Sequence, residues 1–141
     1  KALKKNYQEP TLEEAWLSLL LWKQSSSNEI SMIKEVLSDN AEAVSEVKAN
    51  TIRKWKQSYE VDKVTNLLHR RVRQDISGKV RRQIVIPNND ELVALLMKKY
   101  HEDRAHGGIS STWQATVKVV WWKGIRKNVR DYVMSCQICQ L

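Results

Sequence analysis

Apolar positions along this 141-residue chain recur at different spacings, and each change of spacing predicts a new element. Residues 12–22 are dense in Leu and Trp and read as a helix. Thr11 stands at its N-cap position, and Glu13 and Glu14 lie in the first turn, where carboxylates suit the positive helix end. The polar run Gln24-Ser25-Ser26-Ser27-Asn28 breaks the pattern. Ile30, Ile33, Leu37, Val44 and Val47 then follow a three-four spacing, which predicts an amphipathic helix interrupted near Ser38-Asp39-Asn40. Asn40 takes a stripe position where an apolar residue is expected, a feature that fits either a paired helix or a short intramolecular packing face. Residues 51–59 place Ile52, Trp55 and Tyr59 on one helical face.

After Val64 the period changes. Residues 68–72 and 80–86 are β-prone and are separated by a polar turn containing Gly78, the pattern of a β-hairpin whose second strand ends at Pro87. Asn88-Asn89-Asp90 supplies an N-cap for a helix over residues 91–101 with an apolar stripe of Val93, Leu96, Met97 and Tyr100. A turn around Gly107-Gly108 follows, and Ser110 or Ser111 can cap a second helix reaching about residue 119. Lys123-Gly124 interrupts again. A third helix over residues 125–135 turns Val129, Tyr132 and Val133 inward and Arg126, Lys127 and Arg130 outward.

The expected fold is therefore mainly α with a small β-hairpin. Residues 1–64 form a helical N-terminal extension suited to protein–protein contacts, 65–88 the hairpin, and 89–141 a three-helix module of helix-turn-helix character. Six Trp and four Tyr offset the absence of Phe, so large apolar side chains suffice for a compact interior. A chain this short buries a limited core, which makes a stabilising metal plausible before any motif is read.

Charge separates the two ends. The first 60 residues carry nine basic and nine acidic side chains, whereas residues 61–78 contribute +2 and residues 79–141 contribute +6 to the net charge of +8. A basic segment joined to a neutral one predicts a polyanion-binding part attached to a spacer or assembly part. No apolar run approaches the roughly 18 residues that span a bilayer, so no membrane role is expected. Two cysteines three apart, without a secretory signal, point to a reducing, intracellular compartment and to metal or redox chemistry.

His101 and His106 form a His-x4-His pair, and after 29 intervening residues Cys136 and Cys139 form Cys-x2-Cys. Structural zinc sites fill a tetrahedron with four nitrogen or sulfur donors, and each short spacing lets a loop or helix end aim two donors at one ion. The expected cofactor is one structural Zn2+, which contributes directly to folding. Four protein ligands leave no open position for a catalytic water. Either pair alone would be weak: Cys-x2-Cys could be a redox pair, and two histidines near a helix end could be solvated.

With these residues placed, the chain resembles the amino-terminal zinc-binding region of integrases from retroviruses and long-terminal-repeat retrotransposons, of Ty3/Gypsy or Pao-like type. The likeness runs through His106-Gly107-Gly108-Ile109, Thr112, Trp121-Trp122-Lys123-Gly124-Ile125-Arg126-Lys127 and Val129. Upstream it takes in residues 67–72 and 82–87, similar to the strand pair that precedes the zinc module. It covers about residues 65–140 and is reduced to helix pattern before that. Lys123 stands where the family often has Pro, and the His-x4-His interval is closer to the Pao form than to many Gypsy elements.

The resemblance implies a non-catalytic DNA-binding segment that assembles into homo-oligomers on retroelement-end DNA, in the nucleus or in a cytoplasmic retroelement particle. The family's strand-transfer chemistry belongs to a separate carboxylate core, and this chain stops two residues after its last ligand, so it is not expected to be an enzyme by itself. Arg126, Lys127 and Arg130 lead the expected DNA contacts, extended by Lys123, Lys118 and Arg104. They would supply phosphate contacts and salt-sensitive affinity rather than base readout. Trp113, Trp121 and Trp122 read as core or interface. Two other functions compete: a domesticated host adaptor that keeps the zinc fold without binding DNA, and a Cys136/Cys139 thiol-disulfide enzyme.

Overall fold

A computed structural model describes residues 12–73, 80–103 and 107–139. Among the described residues the elements are α1 (Glu14–Ser25), α2 (Asn28–Leu37), α3 (Ala41–Ser45), α4 (Ala49–Ser58), β1 (Tyr59–Val61), β2 (Leu68–Arg73), β3 (Val80–Val85), α5 (Asp90–Asp103), α6 (Ile109–Val117), β4 (Val120–Trp121) and α7 (Ile125–Ser135). The chain is mostly helical, as expected. The expected hairpin is present but is the centre of something larger, a four-stranded sheet of order β1-β2-β3-β4.

Two edge strands account for the difference. β1 pairs antiparallel with β2, with Tyr59 opposite Arg70 and Val61 opposite Leu68. β4 pairs parallel with β3, with Ile84 opposite Val120 and Val85 opposite Trp121. Backbone bonds from Ile84 N–H to the Val119 carbonyl and from Ile86 N–H to the Trp121 carbonyl, both 2.8 Å, hold β4 in place. Strands of two and three residues are too short to show a period of two, and β4 occupies the stretch expected as the turn between the last two helices. That stretch is therefore a strand followed by a turn, not a turn throughout.

Successive strand residues point to opposite faces, and here both faces are apolar. Leu67, Ile84 and Ile86 enter one core with Leu20 of α1, Leu92, Leu96 and Met97 of α5, Val120, and Val129 of α7. Leu68 and Val85 enter a second core with Ile30 and Ile33 of α2. The amino-terminal helices thus cover both faces of the sheet, with α1 sharing the core of the last three helices.

A buried polar side chain locks this arrangement. Gln24 at the end of α1 is fully buried, accepts from Leu68 N–H at 2.8 Å, and donates to the carbonyls of Leu68 at 3.1 Å and Val85 at 2.7 Å. It satisfies groups on two strands that would otherwise be buried without partners. The polar run containing Gln24, read from sequence as a break, includes the side chain that docks α1 on the sheet.

Local caps explain the helix boundaries. Ser27 caps α2 by accepting from Ile30 N–H at 3.3 Å, and Asn89 caps α5 by accepting from Leu92 N–H at 2.9 Å. Asn40 does not lie in a helix–helix seam: its side chain accepts from Glu42 and Ala43 N–H and starts α3, after Asp39 has turned through positive φ. The stripe from Ile30 is broken at 38–40, as expected, into α2 and α3, and Val47 lies beyond the end of α3. α6 begins at Ile109 after Gly108, ahead of the expected Ser110 or Ser111 cap, and ends at Val117. On α5 the stripe is Leu92, Leu96, Met97, Tyr100 and His101, with Val93 at its margin. Thr11 and the hairpin turn at 74–79 lie outside the described residues.

Candidate metal centre

α5 and α7 end beside each other, with one candidate donor in the last turn of α5 and two just beyond the end of α7. His101 sits in the last turn of α5 and is 1% exposed. α7 gives way to extended backbone at Cys136, and Cys139 follows in the next turn. α7 starts abruptly because Gly124 adopts φ 87°, a left-handed conformation that costs a side-chain-bearing residue about 1–2 kcal/mol. Ile125, Val129 and Val133 then seat the helix on the core, bringing its carboxyl end to His101.

The donor atoms of His101, Cys136 and Cys139 all lie within 4.8 Å of one another, and His101 Nε2 is 3.2 Å from Cys139 Sγ. Zn–N and Zn–S bond lengths in a tetrahedron place such a nitrogen and sulfur about 3.5 Å apart. His106, the remaining expected ligand, lies outside the described residues, as does Arg104.

The orientation of the imidazole follows from its neighbours. Thr112 on α6 is fully buried, and its hydroxyl donates to the Gly107 carbonyl at 3.2 Å. Having spent its one proton, the hydroxyl oxygen accepts from His101 Nδ1–H at 2.9 Å. That leaves the Nε2 lone pair facing the sulfurs, the tautomer a metal ligand requires. Tyr132 of α7 braces the ring edge-on, with centroids 5.7 Å apart. The resemblance named Thr112, but threonine carries no signal of this role by itself.

Desolvation, then a hydrogen bond with Cys136 and its charge, push the Cys139 thiol above its ordinary value. Two thiolates this close disfavour each other, and a divalent cation between them relieves that penalty. Nitrogen and sulfur donors, a preset imidazole tautomer and a pair of crowded thiols fit one structural zinc.

Arg126, Lys127 and Arg130 are exposed on α7, opposite its buried stripe, as expected. The Arg126 guanidinium lies 4.8 Å from the Trp113 ring centroid, and Lys127 pairs with Asp131 at 2.5 Å. Lys123 and Lys118 are also exposed. Trp122 is buried, its indole N–H donating to Asn128 Oδ1 at 2.8 Å, whereas Trp113 and Trp121 are half-buried beneath arginines. Among the described residues, no helix is long and apolar enough to cross a membrane.

Fold and site together define a small helical unit, joined to a sheet, whose His101, Cys136 and Cys139 fit a structural metal. Residues 88–141 match the family model of the integrase zinc binding domain. The polyproteins of transposons Tf2-3, Tf2-4 and Tf2-5 from Schizosaccharomyces pombe are each 36% identical to the chain over 90 residues, covering 56% of it. The chain spans 7% of the length of these curated relatives. No solved structure matches it significantly. The likeness to the amino-terminal zinc-binding region of long-terminal-repeat retrotransposon integrases is borne out.

Proposed function

We propose that this chain is the non-catalytic zinc-binding amino-terminal region of a retroelement-type integrase, which binds element-end DNA and supports multimerisation for DNA integration. The observation that carries this reading is the convergence of His101, Cys136 and Cys139 within a segment matching the integrase zinc-binding family. The proposed ligand set is His101, His106, Cys136 and Cys139. His106 adjoins Gly107, whose carbonyl is bonded to the same hydroxyl that orients His101.

In this reading zinc ties the ends of α5 and α7 together, and α6 and α7 act in the manner of a helix-turn-helix. Arg126, Lys127 and Arg130 contact phosphates, with Lys123, Lys118 and Arg104 at the margins. The functional division follows residues 1–64, 65–88 and 89–141, the first supplying contacts to other copies of the chain. The site of action is the nucleus or the cytoplasmic retroelement particle.

Two measurements on the purified chain test this. Elemental analysis should find one zinc per chain; a clearly lower content would favour a thiol-disulfide role for Cys136 and Cys139. Retention on duplex DNA should weaken as salt rises and fall at low salt in Arg126→Glu/Lys127→Glu. Unchanged retention would favour an adaptor that does not use this helix on DNA.

A further inference from the structure

β2 and β3 together carry Arg70, Arg71, Arg73, Arg81 and Arg82, and no carboxylate. β1 pairs with β2 no further than Arg70, and β4 pairs with β3 only at Ile84 and Val85. Residues 71–73 and 80–82 therefore pair only with each other, as a two-stranded arm beyond the sheet. Within the sheet, Leu67, Ile84 and Ile86 on one face and Leu68 and Val85 on the other are covered by helices. On the arm that pattern gives way to cations on both faces.

Arg71 stands directly opposite Arg82 on one face, and Val72 opposite Arg81 on the other. Like charges directly opposite destabilise a strand pair, and Arg71 is held at the arm's root by donating to the carbonyls of Lys56 at 2.7 Å and Tyr59 at 3.1 Å. Glu60 lies 4.0 Å from both Arg71 and Arg82, and Asp62 lies 3.2 Å from Arg82, which offsets one face at the arm's root. Among the described residues no carboxylate pairs with Arg81 or Arg70, and the Arg70 guanidinium rests 4.6 Å from the Trp121 ring centroid.

We infer that this arm is a second duplex-DNA contact, distinct from α7, seated in the major groove with arginines of its two faces directed to the phosphate rows on the two walls. A two-stranded ribbon fits the roughly 12 Å width of that groove, and a ribbon cationic on both faces suits a slot with two anionic walls. The inference rests on the DNA-binding reading above and adds a surface to it.

The test is binding of a duplex of arbitrary sequence by the full chain across a salt series, comparing the wild type with Arg71→Gln/Arg82→Gln and with Arg81→Gln. The double variant should bind about tenfold more weakly at low salt, and the slope of log affinity against log salt should fall by about one per contact removed. Unchanged affinity and slope in folded variants overturn the inference. Where a variant does not fold, phenylglyoxal modification of the wild type decides: duplex should protect Arg71, Arg81 and Arg82, and equal reaction with and without duplex overturns it. An A-form RNA duplex, whose deep, narrow major groove excludes a ribbon, should compete poorly; equal competition overturns the groove placement. Failure to bind any duplex sinks both readings, whereas loss only in Arg126→Glu/Lys127→Glu sinks the arm alone.

Discussion

His101 Nδ1–H donates to the Thr112 hydroxyl at 2.9 Å, and that hydroxyl donates onward to the Gly107 carbonyl at 3.2 Å. The chain of bonds fixes the imidazole tautomer without a carboxylate. Thr112→Val preserves shape but leaves the ring N–H and a carbonyl without this partner. Zinc affinity, measured by competition with a chromophoric chelator, should fall about 10–100-fold. Thr112→Ser keeps the hydroxyl and should stay within a few-fold of the wild type. Equal losses in the two variants would mean that the hydroxyl does not set the ligand.

Removing the metal should loosen one end of the molecule rather than unfold it. The proposed zinc links the ends of α5 and α7, whereas Leu68, Val85, Ile30 and Ile33 pack in a core on the far face of the sheet. Chelation should cost several kcal/mol, short of the ~10 kcal/mol or more that zinc contributes where it is the main source of order. Hydrogen exchange should rise first over residues 101–139 while amides of β2 and β3 stay protected. Uniform loss of protection would show that the sheet depends on the metal too.

Gln24 bonds three backbone groups, all buried, so Gln24→Leu leaves donors and acceptors unsatisfied with no water to replace the amide. A loss of about 3 kcal/mol in urea unfolding is expected, since each orphaned group costs about 1–3 kcal/mol and relaxation recovers part. Gln24→Glu should be worse, because a carboxylate cannot donate to the Leu68 and Val85 carbonyls. A loss under 1 kcal/mol for Gln24→Leu would mean that α1 docks through Leu20 and its apolar neighbours alone.

What the sequence made legible is what local spacing encodes. The Cys-x2-Cys pair, the α5 and α7 stripes and the Asn89 cap are each set within a few residues, and each is found close to its expected place. The missed features are non-local. β4 exists only because the chain leaving α6 comes alongside β3, and Gln24 is recognisable only once β2 and β3 lie beneath it. Asn40 misled because a cap and a polar break in a helical stripe look alike when only spacing is read. The arginines of the hairpin counted toward the basic balance, but their division between two faces needs the register Arg71–Arg82 and Val72–Arg81.

His69 gives the fold a pH dependence separate from the zinc. It is buried on β2 beside Ile84, its Nδ1–H donating to the Leu67 carbonyl at 3.1 Å. Burial, and secondarily the Arg82 charge, hold its pKa below 6.5, outweighing the Leu67 bond, Asp62 and Glu60. The unfolded chain therefore takes up a proton near pH 6.5 that the folded chain refuses. Stability from this residue is complete above pH 6.5 and declines as pH falls toward the folded pKa, by at most about 1.4 kcal/mol per pH unit. Asp62 has the same sign in a lower window. Bonds from the Thr65 and Val64 N–H groups and from Arg82 bring it to about 2, so its contribution is lost as pH drops from about 4 toward 2. His69→Gln should flatten the stability curve between pH 6.5 and 5, whereas Asp62→Asn should flatten it only below about 4. Protonation of the metal ligands is common to all three proteins, so the differences between their urea midpoints isolate each residue. Parallel wild-type and His69→Gln curves over pH 7 to 5 would show that His69 charges as readily in the folded protein as in the unfolded chain.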